Sequence, residues 1–122
     1  MAEMRLRAAT ALAADAWGEV QTVLNRGEPP GLEKIAVIRA LTRYVHEVAS
    51  DVISFAYKMG GGASLRGGPL QRCFRDIHAG TQHVLVSHQI AQAAGKVLLG
   101  FAEPDTCWGI LGLEPCASGA QA

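Results

Sequence analysis

The sequence predicts an all-α fold built from three long antiparallel helices and one short helix. Two stretches carry apolar residues at helical spacing over many turns, and segments rich in glycine and proline interrupt them. Hydrophobic residues make up 49% of the chain and charged residues only 18%, which is a high ratio for a free-standing domain of 122 residues. We therefore expect a helical domain that packs against a partner surface.

The first predicted helix extends from about Glu3 to Asn25, where the chain is rich in alanine and apolar residues recur every three or four positions. Two prolines and two glycines in the segment 26–31 end this helix and leave a short connection, which returns the next helix antiparallel. From Leu32 a second apolar pattern keeps its phase to Met59, which corresponds to about 42 Å of helix.

Glycines dominate the segment 60–68, which cannot continue the second helix. They either cap that helix or let a ligand approach the main chain, although the segment lacks the lysine and the preceding strand of a P-loop. Pro69 suits the first turn of a short helix that ends near Ile77. Thr81 is the candidate N-cap of a third long helix, which Gly100 ends.

The segment 101–122 is predicted to be an irregular tail of the helical domain 1–100. The three cysteines form an odd set without CxxC spacing, which argues against a disulfide framework and a zinc site and favours a reducing, cytoplasmic setting. No apolar run approaches the roughly 20 residues of a membrane span. The charges balance, 11 against 11, so no global field draws the chain to nucleic acid or to an anionic membrane.

Polar side chains are concentrated between Pro69 and His83. Arg72 and Arg75 lie beside Asp76, so they either form a structural salt bridge or present a guanidinium to a phosphate or a neighbouring subunit. Histidines at positions 78, 83 and 88 are five apart, which spreads them around a helix and disfavours a metal site. Each is either a hydrogen-bonded structural residue or a group that exchanges protons near neutrality.

Two segments resemble the C-terminal helical domain of the acyl-CoA dehydrogenase superfamily. Residues 57–63, YKMGGGA, stand where the family has Q-x-x-G-G-x-G, and residues 69–77, PLQRCFRDI, stand where it has P-V-E-R-x-x-R-D-A. The resemblance implies an incomplete four-helix up-and-down bundle that lacks its first long helix. The family uses the glycine element to contact the flavin nucleotide across a subunit interface. The implied flavin contacts are Gly60, Gly61, Arg72 and Arg75.

The continuation of this segment resembles the monooxygenase branch of the superfamily. The dehydrogenases carry a Y-E-G-T element whose glutamate removes the substrate α-proton, and Val84, which cannot accept a proton, stands at that glutamate. Monooxygenases of the same fold have L-Q-R-x-x-R-D with a histidine seven residues beyond the aspartate, which is His83 here. The resemblance implies that His83 lies near the flavin and substrate, where it helps to deprotonate a substrate hydroxyl or to stabilise the oxygenated flavin.

The implied function is that of the C-terminal domain of a flavin-dependent oxidoreductase, a monooxygenase that uses dioxygen and reduced FAD or FMN. One alternative is an acyl-CoA dehydrogenase whose base lies elsewhere, and another is a non-catalytic helical oligomerisation module. Family members are much longer and hold most of the flavin site in an N-terminal helical domain and a β-barrel. The resemblance therefore implies a homo-oligomer with a tetramer-type helical core, or a partner that carries the missing flavin-binding domains.

Overall fold

Four helices and a small β-hairpin make up residues 1–117, the part of the chain that the computed structural model describes. The helices are α1 (Ala2–Asn25), α2 (Leu32–Met59), α3 (Pro69–Gly80) and α4 (His88–Leu98); 3-10 turns span Gly61–Leu65 and Val84–Val86; the strands are β1 (Thr106–Trp108) and β2 (Leu113–Pro115). The predicted helical fold class is confirmed. In this part of the chain, no helix is both long enough and apolar enough to span a bilayer.

α2 is the central helix, and α1, α3 and α4 each pack mainly against it. The first two predicted helices match α1 and α2 to within about a residue. Arg5 and Asp51 form an ion pair at 2.7 Å, and Lys34 and Glu19 form another at 2.8 Å, so α1 and α2 lie antiparallel. All four side chains remain accessible to solvent, and each pair therefore stabilises the contact by at most about 1 kcal/mol.

The hydrophobic core is thin because much of the helix packing relies on small side chains. The buried apolar residues in residues 1–117 are Ala9, Ala16, Val20, Ala36, Leu41, Val48, Val86, Ile90, Ala93 and Ala94. Large apolar side chains instead face solvent, and Trp17 and Phe55 are each 56% exposed. Exposed aromatic groups of this kind leave an uncovered apolar surface on the helices.

The prediction of a third long helix is wrong for residues 81–87, since α4 begins only at His88. α3 continues to Gly80, beyond its predicted end, and Thr81 lies at the C-terminal end of α3 instead of capping the next helix. The N-cap of α4 is Ser87, whose hydroxyl oxygen accepts the backbone N–H of Ile90 at 3.4 Å. Because Ser87 and the 3-10 turn before it interrupt the helix, residues 81–87 form a connection that redirects the chain.

A β-hairpin, Thr106–Pro115, lies within the predicted irregular tail. Antiparallel pairing sets Cys107 opposite Glu114 and brings Cys116 close enough for a disulfide with Cys107, at a Cα–Cα distance of 5.1 Å. The argument against disulfides from the odd cysteine count is therefore wrong, because one pair forms and Cys73 is left as an exposed free thiol. The cysteines no longer argue for a reducing compartment. The last part of the predicted tail, 118–122, lies outside the described residues.

Candidate functional site

The glycine-rich loop folds back on the end of α2 around a buried serine. The hydroxyl of Ser64, which is 2% exposed, donates to the carbonyl oxygen of Tyr57 at 2.7 Å. A Cβ at Gly60 would clash with this hydroxyl and touch Leu70, so packing explains the glycine at position 60. Gly61 has φ of +53°, and nothing lies within 4 Å of the place where its Cβ would stand. The backbone of the loop is therefore open at Gly61, as it also is at Gly62 and Gly67.

α3 packs one face against α2 and turns its arginines outward. Phe74 stacks on Tyr57 of α2, with ring centroids 4.4 Å apart. Arg72 and Arg75 are exposed, and among residues 1–117 neither forms an ion pair with Asp76 or with another carboxylate. The salt bridge that the sequence allowed is not formed. Both guanidinium groups are accessible to a ligand or to a second protein.

His78 has a structural position between α3 and α2. Its ring meets Phe74 edge-on at a centroid distance of 4.4 Å, and its Nε2 lies 3.3 Å from the hydroxyl oxygen of Ser54. The ring thus extends the aromatic contact that anchors α3. Because its contacts are structural, His78 serves as the control when the catalytic role of another histidine is tested by mutation.

A surface cleft of about 450 Å³ lies between α2 and the segment 81–88 and is termed the histidine cleft. Three of the four histidines of the chain line it. The lining residues are Arg43, His46, Glu47, Thr81, Gln82, His83, Val84, Val86, Ser87 and His88. Across residues 1–117, no group of three or more histidine, cysteine, aspartate and glutamate side chains is arranged to hold a metal ion. The cleft therefore offers imidazole, guanidinium and carboxylate groups for proton transfer and hydrogen bonding.

Arg43 connects the two walls of the histidine cleft. Its Nη1 donates to the carbonyl oxygen of Val86 at 2.8 Å, and its Nη2 forms an ion pair with Glu47 on α2. Nη2 also lies 3.5 Å from Nε2 of His88. A guanidinium only donates hydrogen bonds, so Nε2 of His88 is the acceptor in that contact. Arg43 thus holds the segment 84–88 against α2 and keeps the cleft in shape.

His83 and His46 present opposite tautomers to the cleft. The backbone N–H of Leu85 donates to Nδ1 of His83 at 3.2 Å, so the proton of neutral His83 is on Nε2. Nδ1 of His46 lies 2.8 Å from the carbonyl oxygen of Thr42, which can only accept, so the proton of neutral His46 is on Nδ1. Nε2 of His46 has no hydrogen-bond partner within residues 1–117. The cleft therefore combines a donor at His83 with a proton acceptor at His46.

His46 is the residue that sequence reasoning missed. It lies inside the long apolar pattern of α2, where a single histidine gives no periodic signal. It follows Arg43 by three positions, so the two side chains share a face of the helix, and this spacing is the signal that could have found it. His83 lies in the connection 81–87, which the sequence predicted to be helix, and His88 begins α4.

The glycine loop and the histidine cleft occupy different places on the chain. Gly60 lies about four helical turns beyond His46, or roughly 20 Å along α2. α3 runs back from the loop to the cleft and ends at Gly80, where an added Cβ would be 3.9 Å from Cδ2 of His46. The glycine loop therefore lies apart from the histidine cleft within this chain, and α3 connects the two.

Residues 1–88, which contain the glycine loop, α3 and both walls of the cleft, match the family described as acyl-CoA dehydrogenase, C-terminal domain. The chain belongs to this family. The predicted family is thereby confirmed, and the chain is a member of a superfamily of flavin-dependent oxidoreductases. No match was found among curated proteins or among solved structures.

The acyl-CoA dehydrogenase domain contributes groups that suit part of a flavin site. Gly61 leaves its backbone open to a close approach, and the exposed Arg72 and Arg75 can bind phosphate oxygens. When bound, flavin would supply the redox chemistry, whereas this domain would supply contacts to the nucleotide part. Most of α4 and all of the hairpin lie beyond the residues that the acyl-CoA dehydrogenase family matches.

Proposed function

We propose that this chain is the C-terminal helical domain of a flavin-dependent monooxygenase, which acts on a small-molecule substrate with dioxygen and reduced FAD or FMN. The observation that carries the proposal is the pair His83 and Val84 at the mouth of the histidine cleft. Val84 stands where the dehydrogenases of the superfamily have their proton-abstracting glutamate, and an aliphatic side chain cannot take that role. His83 stands where the monooxygenases have a histidine.

The opposite tautomers of His83 and His46 support different roles for these two residues of the cleft. His83 is exposed and has a donor at Nε2, so it suits hydrogen bonding to a substrate oxygen or to oxygen that is bound to the cofactor. His46 has a lone pair at Nε2 and suits removal of a proton from a substrate hydroxyl. His83 remains the proposed catalytic residue, and His46 is added to it as the proposed proton acceptor.

The proposed cofactor contacts are Gly60, Gly61, Arg72 and Arg75, which lie in the glycine loop and on α3. Gly61 supplies the open backbone of the loop, and the two arginines supply charge-assisted donors that no carboxylate occupies in residues 1–117. The glycine loop lies roughly 20 Å from His46 along α2, so it suits a flavin site that a neighbouring subunit completes. The proposal therefore includes a homo-oligomer in which each chain completes the site of another, or a partner that supplies flavin-binding domains.

A second candidate function is acyl-CoA dehydrogenation with a base at a different position. Glu47 favours it, since this is the carboxylate among the described residues that line the cleft. Arg43 weakens it, because the guanidinium of Arg43 already engages this carboxylate in an ion pair. We therefore place the monooxygenase first.

The experiment that separates the two functions is a segment exchange into intact enzymes. Residues 32–88, which contain both walls of the histidine cleft, replace the corresponding segment in one monooxygenase and in one acyl-CoA dehydrogenase of the superfamily. Oxygen-dependent hydroxylation and acyl-CoA oxidation are then measured. We expect the monooxygenase host to keep activity and the dehydrogenase host to lose it, with Val84→Glu restoring the dehydrogenase. A dehydrogenase host that stays active with Val84, together with an inactive monooxygenase host, would contradict the proposal.

A further inference from the structure

The β-hairpin is held against the first half of α2 by one tryptophan and one arginine. The indole N–H of Trp108 donates to the carbonyl oxygen of Leu32 at 3.0 Å. The guanidinium of Arg39 lies over the Trp108 ring, 4.7 Å from its centroid, and its Nη1 donates to the carbonyl oxygen of Ile110 at 3.2 Å. Stacking and hydrogen bonding by the same arginine fix the orientation of the hairpin on α2.

The other side of the hairpin meets α4. Gly112 lies so close to this helix that an added Cβ would be 3.5 Å from the Cβ of Ala93. Leu111 and Leu113 line the same narrow gap, together with Gln92 and Lys96 of α4. The hairpin therefore bridges α2, which forms one wall of the histidine cleft, and α4, which begins at His88 of the other wall.

The backbone pairing of the hairpin is short. Each strand has three residues, and the flanking bonds run from the Gly109 N–H to the Gly112 carbonyl at 2.7 Å and from the Cys116 N–H to the Asp105 carbonyl at 2.8 Å. Two-stranded hairpins of this size are marginally stable in water unless something else holds them. The Cys107–Cys116 disulfide supplies that restraint by closing a loop with a sequence separation of 9.

We propose that Cys107–Cys116 is a thiol–disulfide exchange site, at which a dithiol reductant releases the hairpin from α2 and α4. Both cysteines are exposed, so a reductant can reach either sulfur. One thiolate of the dithiol attacks a sulfur of the pair, forms a mixed disulfide and expels the other cysteine as a thiolate, which takes up a proton. The second thiol of the dithiol then attacks the mixed disulfide. The protein gains two electrons and two protons, and the reductant leaves as a cyclic disulfide.

Release of the hairpin changes the environment of α2 close to the histidine cleft. Arg39 loses both the Trp108 ring and the Ile110 carbonyl, and it lies one helical turn before Arg43, which ties the cleft together. The α4 surface that Gly112 covers becomes accessible at the same time. The disulfide therefore restrains a hairpin that contacts both α2 and α4. It lies outside the part of the chain that the family shares.

The test compares oxidised and reduced forms of the full chain in a Cys73→Ser, Trp17→Phe background. These changes remove the free thiol and leave Trp108 as the one tryptophan of the two in the sequence. Hydrogen exchange at the Gly109 and Cys116 amides and acrylamide quenching of Trp108 are measured before and after dithiothreitol, with Cys107→Ser as a permanently open control. Since a loop of this size stabilises its closed form on the order of 100-fold, protection of both amides should fall by about that factor on reduction.

We expect the quenching of Trp108 to rise together with the loss of protection, the α1 and α2 amides to keep theirs, and reoxidation to reverse both changes. Equal protection and quenching in the two redox forms would overturn the proposal. A uniform loss of protection along the whole chain would also overturn it, because the disulfide would then stabilise the domain instead of controlling the hairpin. Peptide mapping of the air-oxidised chain without a 107–116 link would overturn it as well.

Discussion

Nδ1 of His83 accepts the backbone N–H of Leu85 at 3.2 Å, and this bond makes the other ring nitrogen a hydrogen-bond donor. The same bond holds the ring at the start of the 3-10 turn that separates α3 from α4. His83 is therefore oriented by the loop that interrupts the helices. The proton-accepting nitrogen of the cleft is contributed by His46 on α2, where the carbonyl of Thr42 fixes the opposite tautomer.

Long-range proton–nitrogen correlation spectra should show two different neutral tautomers in the cleft. At a pH where the imidazoles are neutral, we expect the proton of His83 on Nε2 and that of His46 on Nδ1, because each Nδ1 has a backbone partner of the opposite kind. Variants His83→Gln and His46→Gln assign the signals. Identical tautomers for the two residues would contradict the division into donor and acceptor.

Replacing two glycines of the loop by alanine should affect the free energy of unfolding differently. Gly60→Ala should lower the free energy of unfolding by about 1–3 kcal/mol, since the new Cβ displaces the Ser64 hydroxyl from its buried bond to Tyr57. The matched control is Gly62→Ala, where nothing lies within 4 Å of the added atom. That change should be neutral or stabilise by up to about 1 kcal/mol.

Urea denaturation followed by circular dichroism measures both glycine variants. Gly61→Ala adds a third case, because its φ of +53° strains an L-residue even though space is open. A Gly60→Ala variant as stable as the parent chain would show that Gly60 does not pack against the Ser64 hydroxyl.

The isolated chain should self-associate through its uncovered apolar side chains. Trp17 and Phe55 are each 56% exposed, and burying them against another copy of the chain is favourable. Sedimentation velocity should show species larger than the monomer, and Trp17→Gln or Phe55→Gln should shift the distribution toward the monomer. Exposed Thr10→Gln is the control and should leave it unchanged. A monomer with sharp cooperative unfolding would contradict association through these exposed side chains.

The parts of the structure that a regular pattern encodes could be predicted from the sequence. α1 and α2 follow from apolar spacing and from the proline-containing connection between them, and the family follows from the residues around Arg72 and Arg75. The connection 81–87 was missed because Thr81 resembles an N-cap, whereas Ser87 caps the helix. The hairpin was missed because glycine and proline made its short strands look irregular and three cysteines suggested no pair.

The histidine cleft could not be predicted from sequence patterns, because two separate parts of the chain form it. His83 and His46 are far apart in the chain and are brought to one surface only when the loop after α3 folds over α2. Arg43 makes this possible by donating to the carbonyl of Val86, a contact that no motif encodes. The acidic position of the dehydrogenases could be excluded from sequence at Val84, but the partner of His83 could not be identified without the fold.

Steady-state turnover of an intact monooxygenase that carries residues 32–88, and with them both walls of the histidine cleft, tests the catalytic assignment of His83. His83→Ala should lower kcat by about 10²–10⁴-fold, as expected for loss of a proton-transferring group, while His78→Ala, which alters a structural contact with Phe74, should keep most of the activity. Both variants should remain folded by circular dichroism, since His83 is exposed at the cleft. Full activity of His83→Ala together with loss of activity in His78→Ala would contradict the assignment of the cleft and of the monooxygenase function.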